Sequence, residues 1–423
     1  MIRFLATAAA LLASTATFAK TVEVRAGRLI DPVAAKVLTD QRVRIVEGKI
    51  ASVSPWRDAD GAANVDWSRK TVLPGLVDLH THVADGATES SEPAEPLKHS
   101  EAATILKAVP AARTMLRAGF TTVRDVGVYR GLTDVALRDA IEAGDIEGPR
   151  MKVAGGYITT PGGGGEIDAL APDIPLPETF RIGEVHNASE ARDRARYLLD
   201  RGADFIKLIA TGAVLALGSE PGALELSPEE MKAACDEAKL RGSYCIAHAH
   251  GAEGIKAAIR AGARTIEHAS YLDAEGIALA KKQGVWLDMD IYNGDWIEEI
   301  GTKEGWPAEY LRKNRETTDV QRRGFAAAVR AGAKLTFGTD AAVYPYGLGA
   351  RQFAYMVRYG MTPMQAVQSA TSEAARALRM EGQVGTVAPG AWGDLIAVDG
   401  DPLNDIRVLE RVSAVLKGGE VVK

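Results

Sequence analysis

Three short segments carry most of the histidine in this chain. Of seven histidines, His80 and His82 stand in GLVDLHTH, His248 and His250 in IAHAH, and His268 in IEHAS. Each segment is an apolar run that ends in imidazole. Residues two apart in a strand point to the same side. His80 with His82, and His248 with His250, therefore aim in pairs, as two ligands of one metal would. Asp340 ends a similar run, FGTDA. Imidazole nitrogen with carboxylate oxygen is the donor set of a catalytic zinc or a similar divalent ion. Lys207 lies inside a further run, FIKLIA, which reads as a strand covered on both faces. A lysine is almost never fully buried unless something pairs with it, and burial disfavours its ammonium form.

The elements that would position these groups follow one layout. RAGFTTVRDVG, RGADFIKLIATG, RGSYCIAHAHG, AGARTIEHAS, KQGVWLDMDI and AGAKLTFGTDA each place a glycine between an amphipathic stretch and a short apolar strand. Glycine suits the left-handed position that ends a helix. Adding GLVDLHTH and MKVAGG gives eight strands alternating with helices at roughly 100–118, 131–144, 188–202, 227–241, 251–262, 273–283, 316–332 and 362–379. That alternation implies parallel strands and a (β/α)8 TIM barrel, whose active site lies at the strand C-termini. An open doubly wound sheet is disfavoured, because no glycine-rich phosphate fingerprint opens the first unit. The TPGGGGE run at residues 160–166 reads instead as an active-site loop.

Both ends of the chain have another character. Residues 20–72 and 383–423 alternate apolar and polar positions between turn residues. They predict a small β-sandwich made by both termini, with the barrel at 73–382 inserted between them. Residues 1–19 have Arg3, an apolar run from Phe4 and a small-residue end at Ala19, the pattern of an export signal peptide. The expected location is therefore periplasmic or secreted, with no membrane attachment after signal removal. The net charge of −6 gives no basic footprint for nucleic acid. With only two cysteines, Cys235 and Cys245, no disulfide framework is expected; a single bridge would join a helix to the next strand at an arbitrary spacing, and both are read as free, packed thiols.

The order GLVDLHTH, FIKLIAT, IAHAHG, IEHAS, FGTDA, closed by GTVAPGAWGDLIAVDGDPL, resembles the binuclear members of the amidohydrolase superfamily. The resemblance covers the mature chain. It is strongest to exported bacterial Xaa-Pro and aminoacyl dipeptidases of the imidazolonepropionase-like branch, which includes ochratoxin-hydrolysing amidohydrolases. It implies two divalent ions, Zn2+ foremost. His80 and His82, with Asp340, would hold the more buried ion, and His248 and His268 the second. Lys207, carboxylated by CO2, would bridge them. His250 would contact substrate or stand behind the ligands. A metal-bridging hydroxide would attack the amide while Asp340 carries the proton to the leaving amine.

The activity so implied is release of a C-terminal amino acid from dipeptides or N-acyl amino acids, ochratoxin A included. Cyclic amide hydrolysis or deamination by the same centre is the alternative; a Schiff-base lyase or a non-catalytic metal-binding protein would leave part of the residue set unused. The partner is a small amide substrate, and the enzyme is expected to be a homo-oligomer. Val214, Leu215 and Leu217 would form an apolar wall. Tyr157, Tyr292, Tyr344 and Arg124 are candidates for holding a substrate carboxylate, although packing or a structural ion pair is the commoner role at a strand end, and Arg124 with Asp125 is open to pairing with neighbours. Gly164 and Tyr346 stand where relatives often carry histidine, so the peptide preference need not follow theirs.

Overall fold

The computed structural model describes residues 20–57, 59, 61–85, 92, 94–167, 170–171 and 173–423. The signal peptide expected at 1–19 lies outside the described residues. The two ends of the chain meet in one seven-stranded sheet. Thr21–Asp31 pairs antiparallel with Lys36–Val46 and parallel with Val65–Pro74, which in turn pairs antiparallel with Leu395–Val398. The sheet curls on itself: Ile50 N donates to Ala391 O and Ile50 O accepts from Gly390 N, both at 2.8 Å, in the segment that leads into Leu395–Val398. Its enclosed face holds Val24, Leu29, Val43, Ile45, Leu395 and Leu416, all about 1% exposed or less. The N-terminal part of this sheet runs through Pro74, two residues past the expected boundary, and the returning strand begins at Leu395.

Between these ends lie eight short strands: β1 (Leu76–Thr81), β2 (Phe120–Asp125), β3 (Arg150–Val153), β4 (Ile206–Ile209), β5 (Cys245–Ala249), β6 (Thr265–His268), β7 (Trp286–Asp288) and β8 (Lys334–Thr336). Parallel pairing joins β1 to β2 to β3, and β4 through β8 in sequence. Two seams complete the circle. Tyr157–Ile158, just after β3, pairs in parallel with β4, and Asp204 N donates to Val153 O at 2.8 Å. Leu79 N donates to Phe337 O at 2.9 Å and Asp340 N to His80 O at 2.7 Å, closing β8 onto β1. The result is the expected TIM barrel. Every residue of β1, β2, β4, β5 and β6 is buried, as strands covered on both faces must be.

Local signals explain the outer helices. Ser227 and Glu230 form a reciprocal capping box at the start of Pro228–Leu240, and Asn187 caps Ala188–Asp200. Ala252–Ala261 ends at Gly262, whose φ of 103° is open to glycine at little steric cost. Two regions differ from expectation. After β7 the chain forms Asn293–Glu304 and then the long helix Ala308–Arg330, where a helix was expected only from residue 316. The buried face of the first half of the long helix includes Lys313, Asn314, Thr317 and Gln321, and apolar core positions, Phe325 and Ala328, appear in its second half, so the apolar pattern marks only the later part. The stretch 362–379 is split into Pro363–Ser369 and Ser372–Ala377. No helix among the described residues is long and apolar enough to cross a membrane.

The cysteines are a correction. Cys235 and Cys245 form a disulfide with Cα atoms 5.2 Å apart, not two free thiols. Cys235 lies on the buried side of its helix, and the barrel folds that helix back over β5, which begins at Cys245. Sequence separation alone does not reveal this approach. Thiol titration of the denatured, unreduced protein should therefore find no free thiol, and two after reduction. Reduction should lower stability by about 2–3 kcal/mol, the loop-closure value for so short a ring, read by urea denaturation.

Candidate metal centre

The ends of β1, β5, β6 and β8 bring the predicted side chains to one mouth of the barrel. His80 and His82 direct their Nε2 atoms to the same oxygen of Asp340, Oδ1, at 3.4 and 3.2 Å. Their Nδ1 atoms are engaged elsewhere. His80 Nδ1 meets Glu267 Oε2 at 3.1 Å, and His82 Nδ1 meets Gly127 O at 2.9 Å, with the Tyr157 hydroxyl 3.0 Å away. With Nδ1 protonated and so held, each ring would turn its Nε2 lone pair to a metal that took the place of the contact with Asp340.

The second cluster is His248, His250 and His268. The His268 ring centroid lies 4.6 Å from that of His248, 4.7 Å from His250 and 4.8 Å from His80, so the two clusters share a border. His268 Nδ1 meets Asp290 Oδ2 at 3.0 Å, and Gln321 holds the other Asp290 oxygen at 2.8 Å. His250 Nδ1 meets Ser270 Oγ at 2.7 Å, and His248 turns Nε2 toward Gly212 O at 3.2 Å. His268 and Asp340 adopt positive φ, 65° and 57°. Such backbone costs of order 1 kcal/mol or more for a residue with a side chain, and it recurs where strand ends must turn a functional group inward.

Burial holds the His248 and His250 pKa values well below that of ordinary histidine, and His268 beside them adds to the effect. They stand as neutral imidazoles, able to donate lone pairs. Burial works against the charge of Asp340, yet His80 and His82 hold its carboxyl well below the usual range. Lys207, on β4, is 1% exposed, and among the described residues no carboxylate lies within ion-pair distance of its nitrogen. Burial lowers its pKa to about 8, against the opposing pull of Glu267. Neutral amine is thus accessible near physiological pH. Within His80, His82 and Asp340, and within His248, His250 and His268, the candidate donor atoms lie within 4.8 Å of one another. Burial opposes the charge of His80 and His82, yet Asp340 raises both their pKa values. Imidazole nitrogens with an ionised carboxylate are the donor set of a divalent ion, whose binding displaces such protons.

Arg124 takes the structural ion-pair role weighed for it above. It does not face substrate. It is fully buried under the centre, donating to Leu79 O at 2.6 Å, to Thr265 Oγ1 at 3.0 Å and to both Glu267 oxygens at 2.9 and 3.0 Å, with Asp288 at 3.4 Å. Burial and the neighbouring Glu267 push the Asp288 carboxyl well above its usual range. Tyr292 and Tyr344 pack together at 5.1 Å outside the cavity wall, and Tyr292 accepts from Arg351. Tyr157 does line the cavity. Tyr346 is buried with its hydroxyl directed at His82 O, while Gly164 is at the wall.

The cavity above the cluster is about 220 Å³, and Val214, Leu215 and Leu217 line it as expected, joined by Ile297 and Tyr310. Sequence reading passed over Glu267, Asp290, Asn293 and Gln321. A signal for Asp290 was present: Asp288 and Asp290 in WLDMDI have the same two-residue spacing as the histidine pairs, at the end of the same kind of strand.

Comparison with known proteins places these features in context. The amidohydrolase family pattern matches residues 71–422. Ochratoxinase from Aspergillus niger is 30% identical over 369 residues, covering 83% of this chain and 75% of that protein. A Xaa-Pro dipeptidase structure with methionine bound in its active site is 35% identical with a TM-score of 0.87, covering 95% of this chain and 99% of the other. The A. niger ochratoxinase structure gives 28% identity and a TM-score of 0.83, with 96% of each chain covered.

Replacing Arg124 with methionine should be among the most damaging single changes outside the donor set. It strands Glu267 as an uncompensated buried charge, for which a loss of about 3–5 kcal/mol is expected in chemical denaturation.

Proposed function

The chain belongs to the amidohydrolase family and is a hydrolase acting on amide bonds; from that premise we propose that it releases the C-terminal amino acid from dipeptides and N-acyl amino acids, with ochratoxin A among the substrates. The observation that carries this reading is the meeting of two donor clusters through Asp340 and His268 beneath a cavity with one apolar wall. The names of the dipeptidase and ochratoxinase relatives support it. Two ions, Zn2+ in the first instance, would be held by His80, His82 and Asp340 on one side and by His248 and His268 on the other, with Lys207 as the bridging ligand once its neutral amine has added CO2. His250, whose Nδ1 is held by Ser270, faces the same space and serves either the second ion or the substrate.

Bound there, such ions supply Lewis acidity for the carbonyl and a water of lowered pKa. The chain's own groups do the rest. Asp340 is the proton carrier: it accepts the proton of the attacking water and delivers it to the departing amine nitrogen. Its second oxygen is held by Asn293 Nδ2 at 3.1 Å, which fixes the carboxylate plane while leaving a lone pair for the proton. Asp290 and Glu267 hold the Nδ1 sides of His268 and His80, so neither ring turns when the charge distribution changes. Val214, Leu215 and Leu217 seat an apolar group and exclude water from one side. The Cys235–Cys245 disulfide supports export, since such bonds persist in oxidising compartments.

A panel of dipeptides and N-acyl amino acids, with ochratoxin A included, should release free amino acid, and metal analysis of active enzyme should find close to two divalent ions per chain. A panel without amino-acid release, or activity with one ion or none, would defeat the reading. Lys207→Ala should lose at least about 100-fold in kcat/KM and bind less metal, roughly the scale seen when one essential group of a catalytic site is removed. Short carboxylic acids in the buffer should restore part of both.

A further inference from the structure

The apolar wall is held by a buried charge that no step of the hydrolysis uses. Lys313, on the helix Ala308–Arg330, is 0% exposed. Its ammonium donates to Ala216 O, to Ser219 O at 2.8 Å and to Glu309 Oε1 at 3.0 Å. All three donors of the ammonium are thereby used. Both carbonyls belong to the loop after β4 that carries Val214, Leu215 and Leu217.

The same loop is tied at other points. Glu309 Oε1 also accepts from Gly218 N at 3.0 Å, at a residue whose φ of 72° is suited to glycine. Ser219 Oγ accepts from Ala213 N at 2.9 Å and donates to Glu225 Oε1 at 2.7 Å. The other Glu225 oxygen accepts from Gly164 N at 2.8 Å, so the glycine-rich loop after β3 is joined to the same frame. The helix that supplies Lys313 also presents Tyr310, Asn314 and Gln321 to the cavity, one or two turns apart. One element thus forms part of the pocket and fixes the loop that carries its apolar wall.

We propose that Lys313 is a positioning residue for substrate selection: its buried ammonium sets the loop at 213–220 in place, so that the pocket is pre-formed for an amide bearing one large apolar or aromatic side chain. This rests on the amino-acid-releasing reading given above and adds to it what determines size preference. A glycine-bearing loop without its clamp has to be ordered by the substrate itself, and that ordering is lost from binding. A small substrate that does not reach the wall gains nothing from the clamp. Removing the lysine also leaves the Ala216 and Ser219 carbonyls without their buried partner, so the loop must move to find water.

The experiment uses the full chain loaded with metal and compares Ala-Ala with Phe-Ala and Ala-Phe, for the wild type and for Lys313→Met. The expected result is a roughly tenfold rise in KM for the better phenylalanine-bearing substrate with kcat changed by less than about twofold, little change for Ala-Ala, unaltered metal content, and faster amide exchange confined to 213–220. Lys313→Arg should recover part of the lost affinity. Equal losses for all three peptides, or lost metal, would overturn the proposal in favour of a general structural role, as would an unchanged KM throughout. Should Lys313→Met fail to fold, Glu309→Gln, at a more exposed position, is expected to show the same selectivity in smaller degree, and its failure to do so overturns the proposal. If the wild type releases no amino acid from any peptide, the proposed function falls by itself. The clamp is then decided by amide exchange in the variant, with unchanged exchange in the loop overturning it.

Discussion

A guanidinium cut off from water organises the floor of this barrel. Arg124 lies across the barrel interior and reaches β1 through Leu79 O, and β6 through Thr265 and Glu267. A buried ion pair adds little net stability over a well-packed apolar alternative, because desolvation offsets much of the attraction. Its effect here is one of geometry. Glu267 can remain ionised without water only because Arg124 is there, and an ionised Glu267 is what holds His80 Nδ1. His80 then shares Asp340 with His82, and His82 is held from behind by Gly127 and Tyr157. The centre is thus the upper end of a chain of contacts that begins below it, and each member is defined by the one before.

That dependence marks where sequence was legible and where it was not. The strand-end groups were readable because a strand has a period of two, and because imidazole repeated at the ends of apolar runs points to a shared ligand. Lys207 was readable for a related reason, as a charge inside a strand that offers it no solvent. The floor was not readable. Arg124 stands in a strand next to a second charge, and sequence cannot tell an arginine aimed down the barrel from one aimed at its mouth. Glu267 was visible beside His268 but had no assigned partner, since its contacts come from β1 and β2, more than a hundred residues earlier.

The long helix after β7 failed for a different reason. Helices are recognised by an apolar stripe, and the first half of this one turns polar residues inward because it covers a pocket and a loop, while Phe325 and Ala328 of its second half meet the core. Asn314, Thr317 and Gln321 are buried because they meet substrate space and Asp290, and Lys313 is buried because it meets carbonyls. The disulfide was missed through the same locality. Cys235 and Cys245 are ten positions apart, but the packing of a helix over its neighbouring strand is what brings their Cα atoms to 5.2 Å.

These features together separate two tasks that the barrel performs at one mouth. The metal-facing groups sit on strand ends and accept backbone strain, at His268 and Asp340, to point inward. Strands joined on both sides can bear that strain, since neighbouring hydrogen bonds hold them in register. The apolar wall sits on a loop, which has no such support, and its rigidity comes instead from side chains: one lysine, Glu309 and Glu225. Loops of this kind vary without disturbing the scaffold that carries them. Gly164 is consistent with that division. Its backbone nitrogen is tied to Glu225, and a Cβ added there would come within 2.8 Å of Ala213 Cβ. A larger residue at this position therefore requires the loop after β4 to shift, and the pocket with it, while the strands stay as they are. On the proposed reading, the strands and their floor would set the reaction, and loops whose shape is fixed from the side would set the choice of substrate.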